Sequence, residues 1–301
     1  MGKHVDLVYK ELVEKILNEG VKREDRTGTG TISSFGNQIE IDLQDGFPLL
    51  TTKRVYWKGV VVETVAFLKG ITDLSYFLTN GVDIWTRDAY KKFLKEQVQY
   101  EKDNGITGAT LTLDEFRDHA LQLGYDLGCI YGSQWINFNG EGVNQLDFIN
   151  NEIKTNSFSR RLKVYSANPA RAHEQTLPPC HDAFQFYVRD GYLDCLFQMR
   201  SSDSFHGLPF NISSYALITH IQAEMSGLKV GKLIAQLGDC HVYLTHLDAI
   251  NEQLSREPRE LPTLRLSERV KNLKSISDIE LEDIELIGYN PHPIIKAPQA
   301  F

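Results

Sequence analysis

A thiol, a guanidinium, a hydroxyl and a carboxamide lie close together in this sequence. Cys180 follows residues 177–179, which read Leu-Pro-Pro, while Arg200 and Ser201 come about one hairpin later and Asn211 lies just beyond them. A cysteine thiol is mostly protonated at neutral pH, so a nucleophilic thiolate needs a neighbouring positive charge, which Arg200 could supply. The pattern predicts an activated thiol beside an anion-binding site, although a cysteine taken alone is more typical of an inert core residue.

The elements that must position these residues are a β-hairpin and a helix. Two apolar-rich runs within 184–199 flank the turn 189–191, which reads Arg-Asp-Gly, and an Asp-Gly pair between strands is a strong hairpin signal. This hairpin would bring Cys180 beside Arg200. Residues 212–225 then carry apolar side chains at helical spacing and predict a helix that ends before a glycine.

Further patterns predict the surrounding helices and strands. Apolar residues at helical spacing predict a first helix over 5–17 that is ended by Gly20, and residues 38–43 alternate polar and apolar side chains as a half-buried strand does. Residues 60–68 are almost entirely apolar around Glu63. The pattern there predicts a buried helix that carries a carboxylate.

The polar, lysine-rich segment at 88–125 predicts a surface insertion with a helix over 113–121. Strands separated by helices, with a hairpin in place of regular β-α-β units, favour an α+β fold. The chain lacks the glycine fingerprints of dinucleotide-binding and P-loop proteins, which excludes those two classes. The glycine-rich residues 27–31 can be interpreted as a flexible turn or as a phosphate-binding loop.

Composition excludes several other classes of protein. The 301 residues are 42% hydrophobic and 24% charged, as in an ordinary globular protein. The net charge of −8 argues against binding of extended nucleic acid, since contacts to phosphate backbones need clustered Lys and Arg. No apolar run reaches the ~20 residues of a membrane helix, and the first residues lack the apolar core of a signal peptide. Four cysteines without metal-type spacing predict reduced thiols, no bound metal and a cytoplasmic location.

Several separated motifs resemble, in the same order, those of the thymidylate synthase family. The resemblance runs from about Asp25 to the last residue and is interrupted mainly between Asp88 and Tyr125. The motifs are LPPCH at 177–181, QFYV at 185–188, RSSD at 200–203, GLPFNISSYAL at 207–217, GDCHVY at 238–243, DRTGTGTISSFG at 25–36, DGFPLLTTKR at 45–54 and GYNPHPIIKAP at 288–298. Motifs in register over this length indicate a family relationship.

Thymidylate synthases convert deoxyuridine monophosphate (dUMP) to thymidine monophosphate (dTMP), with 5,10-methylenetetrahydrofolate as one-carbon donor and hydride source. The resemblance implies one catalytic domain over 1–301, a mixed sheet flanked by helices, and a homodimer packed sheet to sheet. It also implies that Cys180 adds to carbon 6 of the uracil ring, so that carbon 5 can attack the folate methylene.

The resemblance implies a catalytic set around this cysteine. Asn211 would pair its carboxamide with O4 and N3 of uracil, and Glu63 would organise proton transfer around O4. Tyr131 would assist proton removal from carbon 5. Cys180 and Arg200 complete the implied catalytic set.

The implied nucleotide ligands surround the phosphate and the sugar. Guanidinium groups suit phosphate because they bind it through two parallel hydrogen bonds. Arg160 and Arg161 would come from the other subunit, while His241 and Tyr243 would contact the ribose 3′-hydroxyl. The implied substrate-binding residues are Arg26, Arg160, Arg161, Arg200, Ser201, Asp203, Asn211, His241 and Tyr243.

The implied folate site lies beside the nucleotide. Asp203 would contact the pterin, Trp85 and Ile84 would form a wall, and Lys53 would contact the folate tail. The implied cofactor-binding residues are Lys53, Ile84, Trp85, Asp203, Gly207 and Phe210.

The chain departs from the family pattern mainly on the folate side. The departures are Thr86, Asp88, Ala167, Asp182 and His206, the last of which replaces an apolar residue. Because hydride transfer depends on shielding the exocyclic methylene from water, an alternative is a hydroxymethylase of the same fold, acting on dUMP or dCMP, in which water replaces hydride. Asn211 favours dUMP in either case. A remoter alternative is an inactive homologue that binds nucleotide or RNA.

Overall fold

A six-stranded mixed sheet forms the centre of the protein. The structure is a computed structural model that describes residues 2–25 and 28–299. In spatial order the strands are β1 (Val21–Arg23), β2 (Thr31–Asp42), β6 (Lys229–Tyr243), β5 (Tyr192–Asp203), β4 (His181–Arg189) and β3 (Lys163–Tyr165). Strands β5 and β6 run parallel, and the other neighbouring pairs run antiparallel. A separate ribbon pairs β7 (Thr263–Leu266) with β8 (Ile284–Ile287).

Helices flank the sheet, which confirms the predicted α+β class with a mixed sheet. Their bounds are α1 (Val5–Glu19), α2 (Trp57–Leu68), α3 (Leu74–Thr79), α4 (Thr86–Asn104), α5 (Leu113–Leu123), α6 (Tyr131–Ile136), α7 (Gln145–Thr155), α8 (Gly207–Ser226) and α9 (Leu247–Leu254). Within residues 2–25 and 28–299, no helix is both long enough and apolar enough to cross a bilayer.

Helix α8 lies at the centre of the core because its apolar side chains are spread around its circumference and do not form a single stripe. It is buried along nearly its whole length and packs against β5 and β6. Strand β5 buries every second side chain from Leu193 to Met199 on this side of the sheet. The Phe197 ring stacks on Tyr215 of α8, with ring centroids 4.3 Å apart. This packing fixes the end of β5 against the start of α8, where the cavity described below is found.

The opposite face of the sheet is polar at its centre. Three glutamines form a ladder across neighbouring strands: Gln198 donates to Gln236 over 3.0 Å, and Gln236 donates to Gln38 over 3.2 Å. Tyr187 of β4, which alternates with buried phenylalanines, is 61% exposed. The single chain therefore leaves this ladder and Tyr187 accessible on one side of the sheet.

The predicted hairpin and the first two predicted helices are confirmed. Strand β2 is longer than predicted and begins at Thr31, because its pairing with β6 continues to Tyr243. The added positions are rich in serine and do not alternate polar and apolar side chains. Helix α8 begins at Gly207, five residues before the predicted start. Pro209 lies in its first turn, where the missing N–H of proline breaks no helical hydrogen bond.

The segment at 88–125 consists mainly of α4 and α5. The predicted helix over 113–121 is confirmed and extends to Leu123, with a capping box between Thr112 and Glu115 at its start. Helix α4 was not predicted. Aromatic side chains join the two helices, and Phe116 is completely buried between Tyr90 and Phe93, with ring centroids 5.5 and 5.1 Å away.

Candidate active site

A cavity of about 360 Å³ lies where β4, β5, α2, α6 and the start of α8 meet. Ten of the sequence-predicted site residues line it: Glu63, Ile84, Trp85, Tyr131, Cys180, Ser201, Asp203, Gly207, Phe210 and Asn211. The fold thus gathers around one cavity residues that are up to 148 positions apart in the chain, as from Glu63 to Asn211.

Cys180 lies directly before β4 and is held by its backbone. Its N–H donates to the Tyr131 hydroxyl over 3.0 Å, and its carbonyl accepts from the Arg200 N–H over 3.0 Å. The Arg200 guanidinium donates to the carbonyls of Pro179 (2.7 Å) and Pro178 (3.0 Å). These two contacts orient the guanidinium beside the segment that carries the thiol. They use only some of the five N–H groups of the guanidinium.

Glu63 carries a buried carboxyl group whose proton affinity is set mainly by that burial. It lies on α2 and accepts a hydrogen bond of 2.9 Å from the Trp85 indole N–H. Burial raises the pKa of Glu63 to about 7, against the smaller opposing effect of the Trp85 hydrogen bond. The carboxyl can therefore take up or release a proton near neutral pH.

Tyr131 reaches the cavity because α2 and α6 approach each other closely. The contact point is Gly132, where an added Cβ would lie 2.2 Å from the Phe67 carbonyl oxygen. Burial raises the pKa of the Tyr131 hydroxyl well above its usual range, so the group stays protonated at neutral pH. The glycine thus lets a neutral phenol reach the Cys180 backbone.

His181 is a functional candidate that the sequence reasoning missed. The Asn211 amide nitrogen lies 2.9 Å from His181 Nε2, and His181 Nδ1 lies 3.0 Å from the Tyr215 hydroxyl. Burial lowers the pKa of His181 to about 4, so the ring is neutral at neutral pH. An amide nitrogen only donates, so Nε2 accepts and Nδ1 carries the proton. The histidine fixes the orientation of the Asn211 carboxamide; its position beside Cys180 in the LPPCH motif was the only signal for it.

His241 and Tyr243 lie beside the cavity at the end of β6. His241 pairs with Asp203 in the parallel ladder, and its Nδ1 lies 2.9 Å from an oxygen of Asp239. The rings of His241 and Tyr243 meet edge to face with centroids 5.0 Å apart. Both side chains are therefore on the same side of the strand, as their spacing in the sequence predicts.

Arg200, His241 and Tyr243 lie beside the cavity but not in its lining. Four more predicted ligands do not line it in the described structure or cannot be assessed. Lys53 is buried, its ammonium donates to the Phe205 carbonyl, and burial lowers its pKa to about 7. Arg160 and Arg161 are exposed in the loop between α7 and β3. Arg26 lies outside the described residues.

The departures from the family pattern lie in three places. Asp88 and His206 line the cavity. Ala167 and Asp182 lie away from it, where the Ala167 N–H donates to the Asp182 carbonyl over 3.2 Å. Thr86 is buried at the start of α4.

Within residues 2–25 and 28–299, no group of three His, Cys, Asp or Glu side chains is arranged to hold a metal ion.

Comparison with known proteins agrees with this arrangement. A family model described as thymidylate synthase matches residues 7–301. Thymidylate synthases of Listeria monocytogenes serotype 4b, from strains CLIP80459 and F2365, are each 43% identical to the chain over 311 aligned positions, which cover 96% of this chain and 98% of theirs. The match over nearly the whole length, together with the cavity around Cys180, shows that this chain belongs to the thymidylate synthase family.

Proposed function

We propose that the protein catalyses the reductive methylation of dUMP to dTMP, with 5,10-methylenetetrahydrofolate as co-substrate. The observation that carries the proposal is that Cys180, Asn211 and Glu63 line the same cavity, with the Arg200 guanidinium oriented beside the Cys180 segment. The curated relatives are thymidylate synthases, which supports the same reaction.

The chain's own residues suit the first half of this reaction. In our proposal the Cys180 sulfur forms a bond to carbon 6, and the π electrons of the 5,6 double bond move towards O4. Asn211 donates to O4 and accepts from N3–H, and His181 keeps the amide in that orientation. Arg200 and Ser201 bind the phosphate, together with Arg26 and the ribose ligands His241 and Tyr243.

Proton transfer is the second requirement. A carboxyl with a pKa of about 7 can deliver a proton towards O4 and recover it within one turnover, which suits Glu63. The Tyr131 hydroxyl is protonated and accepts the Cys180 N–H, so it is held close to the proposed nucleophile. This contact supports its proposed part in proton removal from carbon 5. In our proposal both groups act on the nucleotide from the α2 and α6 side of the cavity.

We assign the folate to the part of the cavity lined by Trp85, Ile84, Phe210 and Gly207, with Asp203 contacting the pterin. Lys53 remains the proposed contact of the folate tail. The hydroxymethylase alternative is not favoured, since the matched relatives are synthases over nearly their whole length. The inactive homologue is not favoured for the same reason.

We further propose a cytoplasmic homodimer in which each copy is one catalytic unit over 1–301 with a surface insertion at 88–125. The family relationship supports sheet-to-sheet packing, and the sheet face with the glutamine ladder is accessible to a second copy of the chain. Arg160 and Arg161, which are exposed away from this chain's own cavity, would reach the partner's phosphate site. Extended nucleic acid and membranes are not proposed partners.

The test is product analysis of the purified protein with dUMP and 5,10-methylenetetrahydrofolate. The proposal predicts equal amounts of dTMP and dihydrofolate, since the folate supplies both carbon and hydride. Hydroxymethyl-dUMP with tetrahydrofolate would instead establish the hydroxymethylase. Intact mass after trapping with fluorodeoxyuridylate and the folate should show a covalent adduct that Cys180→Ala lacks; binding without an adduct would point to the inactive homologue.

A further inference from the structure

Tyr215 belongs to a buried network of three polar side chains that reaches the cavity at Asn211. The Asn211 amide nitrogen lies 2.9 Å from His181 Nε2, and His181 Nδ1 lies 3.0 Å from the Tyr215 hydroxyl. Tyr215 is 1% exposed and lies outside the cavity lining. It follows Asn211 by one turn of α8, so both ends of the network lie on this helix and His181 of β4 bridges them. We call these three residues the Tyr215 network.

The proton of the imidazole fixes the direction of hydrogen bonding through the Tyr215 network. An amide nitrogen only donates, so Nε2 accepts and the Nδ1–H donates to the Tyr215 hydroxyl oxygen. Burial lowers the pKa of His181 to about 4 and raises the pKa of Tyr215 well above its usual range, so both groups are neutral at neutral pH. The network therefore carries no charge, and the position of one proton on the imidazole decides which group donates at each contact.

Tyr215 is held in place by packing that does not involve its hydroxyl. Its ring stacks on Phe197, with centroids 4.3 Å apart and an angle of 9° between the planes, and Phe184 meets it edge to face at 5.5 Å. The Thr219 hydroxyl donates to the Tyr215 carbonyl over 2.6 Å. A phenylalanine at this position would keep these contacts and would remove only the hydrogen-bond partner of His181.

The direction of the network decides which pyrimidine edge Asn211 matches. With its nitrogen turned to His181, the amide presents its second N–H and its carbonyl oxygen to a base bound in the cavity. This pattern suits uracil, which offers O4 as an acceptor and N3–H as a donor. Cytosine offers an amino donor and an N3 acceptor, so it needs the amide turned round. The amide oxygen would then face His181, and Nε2 would have to carry the proton.

We propose that Tyr215 is a positioning residue that determines base specificity: its hydroxyl oxygen keeps the His181 proton on Nδ1, which keeps the Asn211 amide in the orientation that selects uracil over cytosine. The proposal rests on the proposed function for the class of ligand, a pyrimidine nucleotide. Without the hydroxyl, the observed tautomer would leave a buried N–H unpaired, whereas the opposite tautomer would leave only a lone pair unpaired. Buried N–H groups are left unpaired more rarely than buried acceptors, so loss of the hydroxyl favours the opposite tautomer and the turned amide.

The experiment compares the wild-type protein with Tyr215→Phe. Tyr9→Phe is the matched control, since the buried Tyr9 hydroxyl donates to the Ser204 carbonyl over 3.0 Å and lies outside the cavity lining. Calorimetry measures the dissociation constants of dUMP and dCMP separately. Nitrogen NMR of protein labelled at its nine histidines shows which ring nitrogen of His181 carries the proton, and the spectrum of His181→Ala assigns that signal.

We expect Tyr215→Phe to bind dUMP about threefold to tenfold more weakly than wild type, the loss expected for one hydrogen bond, and to bind dCMP no more weakly. The preference for dUMP over dCMP should therefore fall by at least the same factor. The His181 proton should lie on Nδ1 in wild type and in Tyr9→Phe, and should move towards Nε2 in Tyr215→Phe.

An equal loss of affinity for both nucleotides would indicate a merely structural role for Tyr215 and would overturn the proposal. So would an unchanged preference in Tyr215→Phe, the same change in Tyr9→Phe, or a wild-type protein that binds dCMP as well as dUMP. A proton on Nε2 of His181 in the wild-type protein would overturn it even if the variant did not fold. If the wild-type protein made no dTMP, the proposed function would fail, while calorimetry and NMR would still decide the role of Tyr215.

Discussion

Replacing Glu63 with glutamine should make the protein more stable and less active, and the gain in stability should depend on pH. Glutamine has the shape of the protonated carboxyl and can still accept the Trp85 indole hydrogen bond through its carbonyl oxygen. It cannot ionise. The substitution therefore removes the cost of holding a buried carboxylate and leaves the packing of α2 in place.

The size of the effect follows from the pKa of Glu63, which burial raises from 4.5 to about 7. The folded state then binds the proton more tightly than the unfolded chain, so this carboxyl costs stability as the pH rises from 4.5 through 7. Below pH 4.5, Glu63→Gln should have the same free energy of unfolding as wild type. Above pH 7, its free energy of unfolding should be higher by about 3 kcal/mol. The difference in the free energy of unfolding between the two proteins should increase by about 2 kcal/mol from about pH 5.5 to about pH 8.5.

The assay is urea unfolding of both proteins across this pH range, at one fixed protein concentration because the stability of the proposed dimer would depend on it. Glu19→Gln, at the exposed end of α1, controls for the amide substitution itself. Turnover of Glu63→Gln should fall by about 10²-fold or more, since a proton-transfer group is lost. A stability difference that stays constant with pH would refute the elevated pKa, and full activity would refute the role in proton transfer.

Three other substitutions test separate parts of the site. Cys180→Ala should abolish turnover and adduct formation while calorimetry still detects dUMP binding, because Arg200 and Asn211 remain; loss of binding as well would mean that the nucleophile is misplaced. His181→Ala should lower kcat/KM for dUMP by about tenfold or more, since the Asn211 amide loses the acceptor that orients it, and unchanged kinetics would contradict that role. Gly132→Ala should cost about 1–3 kcal/mol of stability in thermal unfolding, because its Cβ would meet the Phe67 backbone; wild-type stability would show that α2 and α6 can move apart.

Local patterns were sufficient to predict the elements that carry Cys180 and Arg200. The Asp-Gly turn closes the hairpin between β4 and β5, and that pairing alone brings the two residues together. Apolar spacing likewise located α1, α2 and most of α8. These features depend on residues within one or two elements, so their signal lies in the sequence itself.

Pairing between distant segments had no comparable signal. Strand β2 extends to Thr31 only because β6 lies beside it, and the parallel pairing of β5 with β6 crosses over α8. The displacement of Lys53 from the cavity lining depends on the burial of its side chain against Phe205. The spacing of polar and apolar residues along β2 or around Lys53 does not encode such contacts.

By itself the sequence determined which chemistry is available: the thiol, the guanidinium, the carboxamide and the order of the motifs that carry them. Only the tertiary structure decided how those groups behave. The pKa of Glu63, the neutral tautomer of His181 and the Tyr131 hydroxyl on the Cys180 backbone all arise from burial and from partners on other elements. Desolvation and hydrogen-bond geometry are properties of packed surroundings, so no single stretch of the chain can specify them.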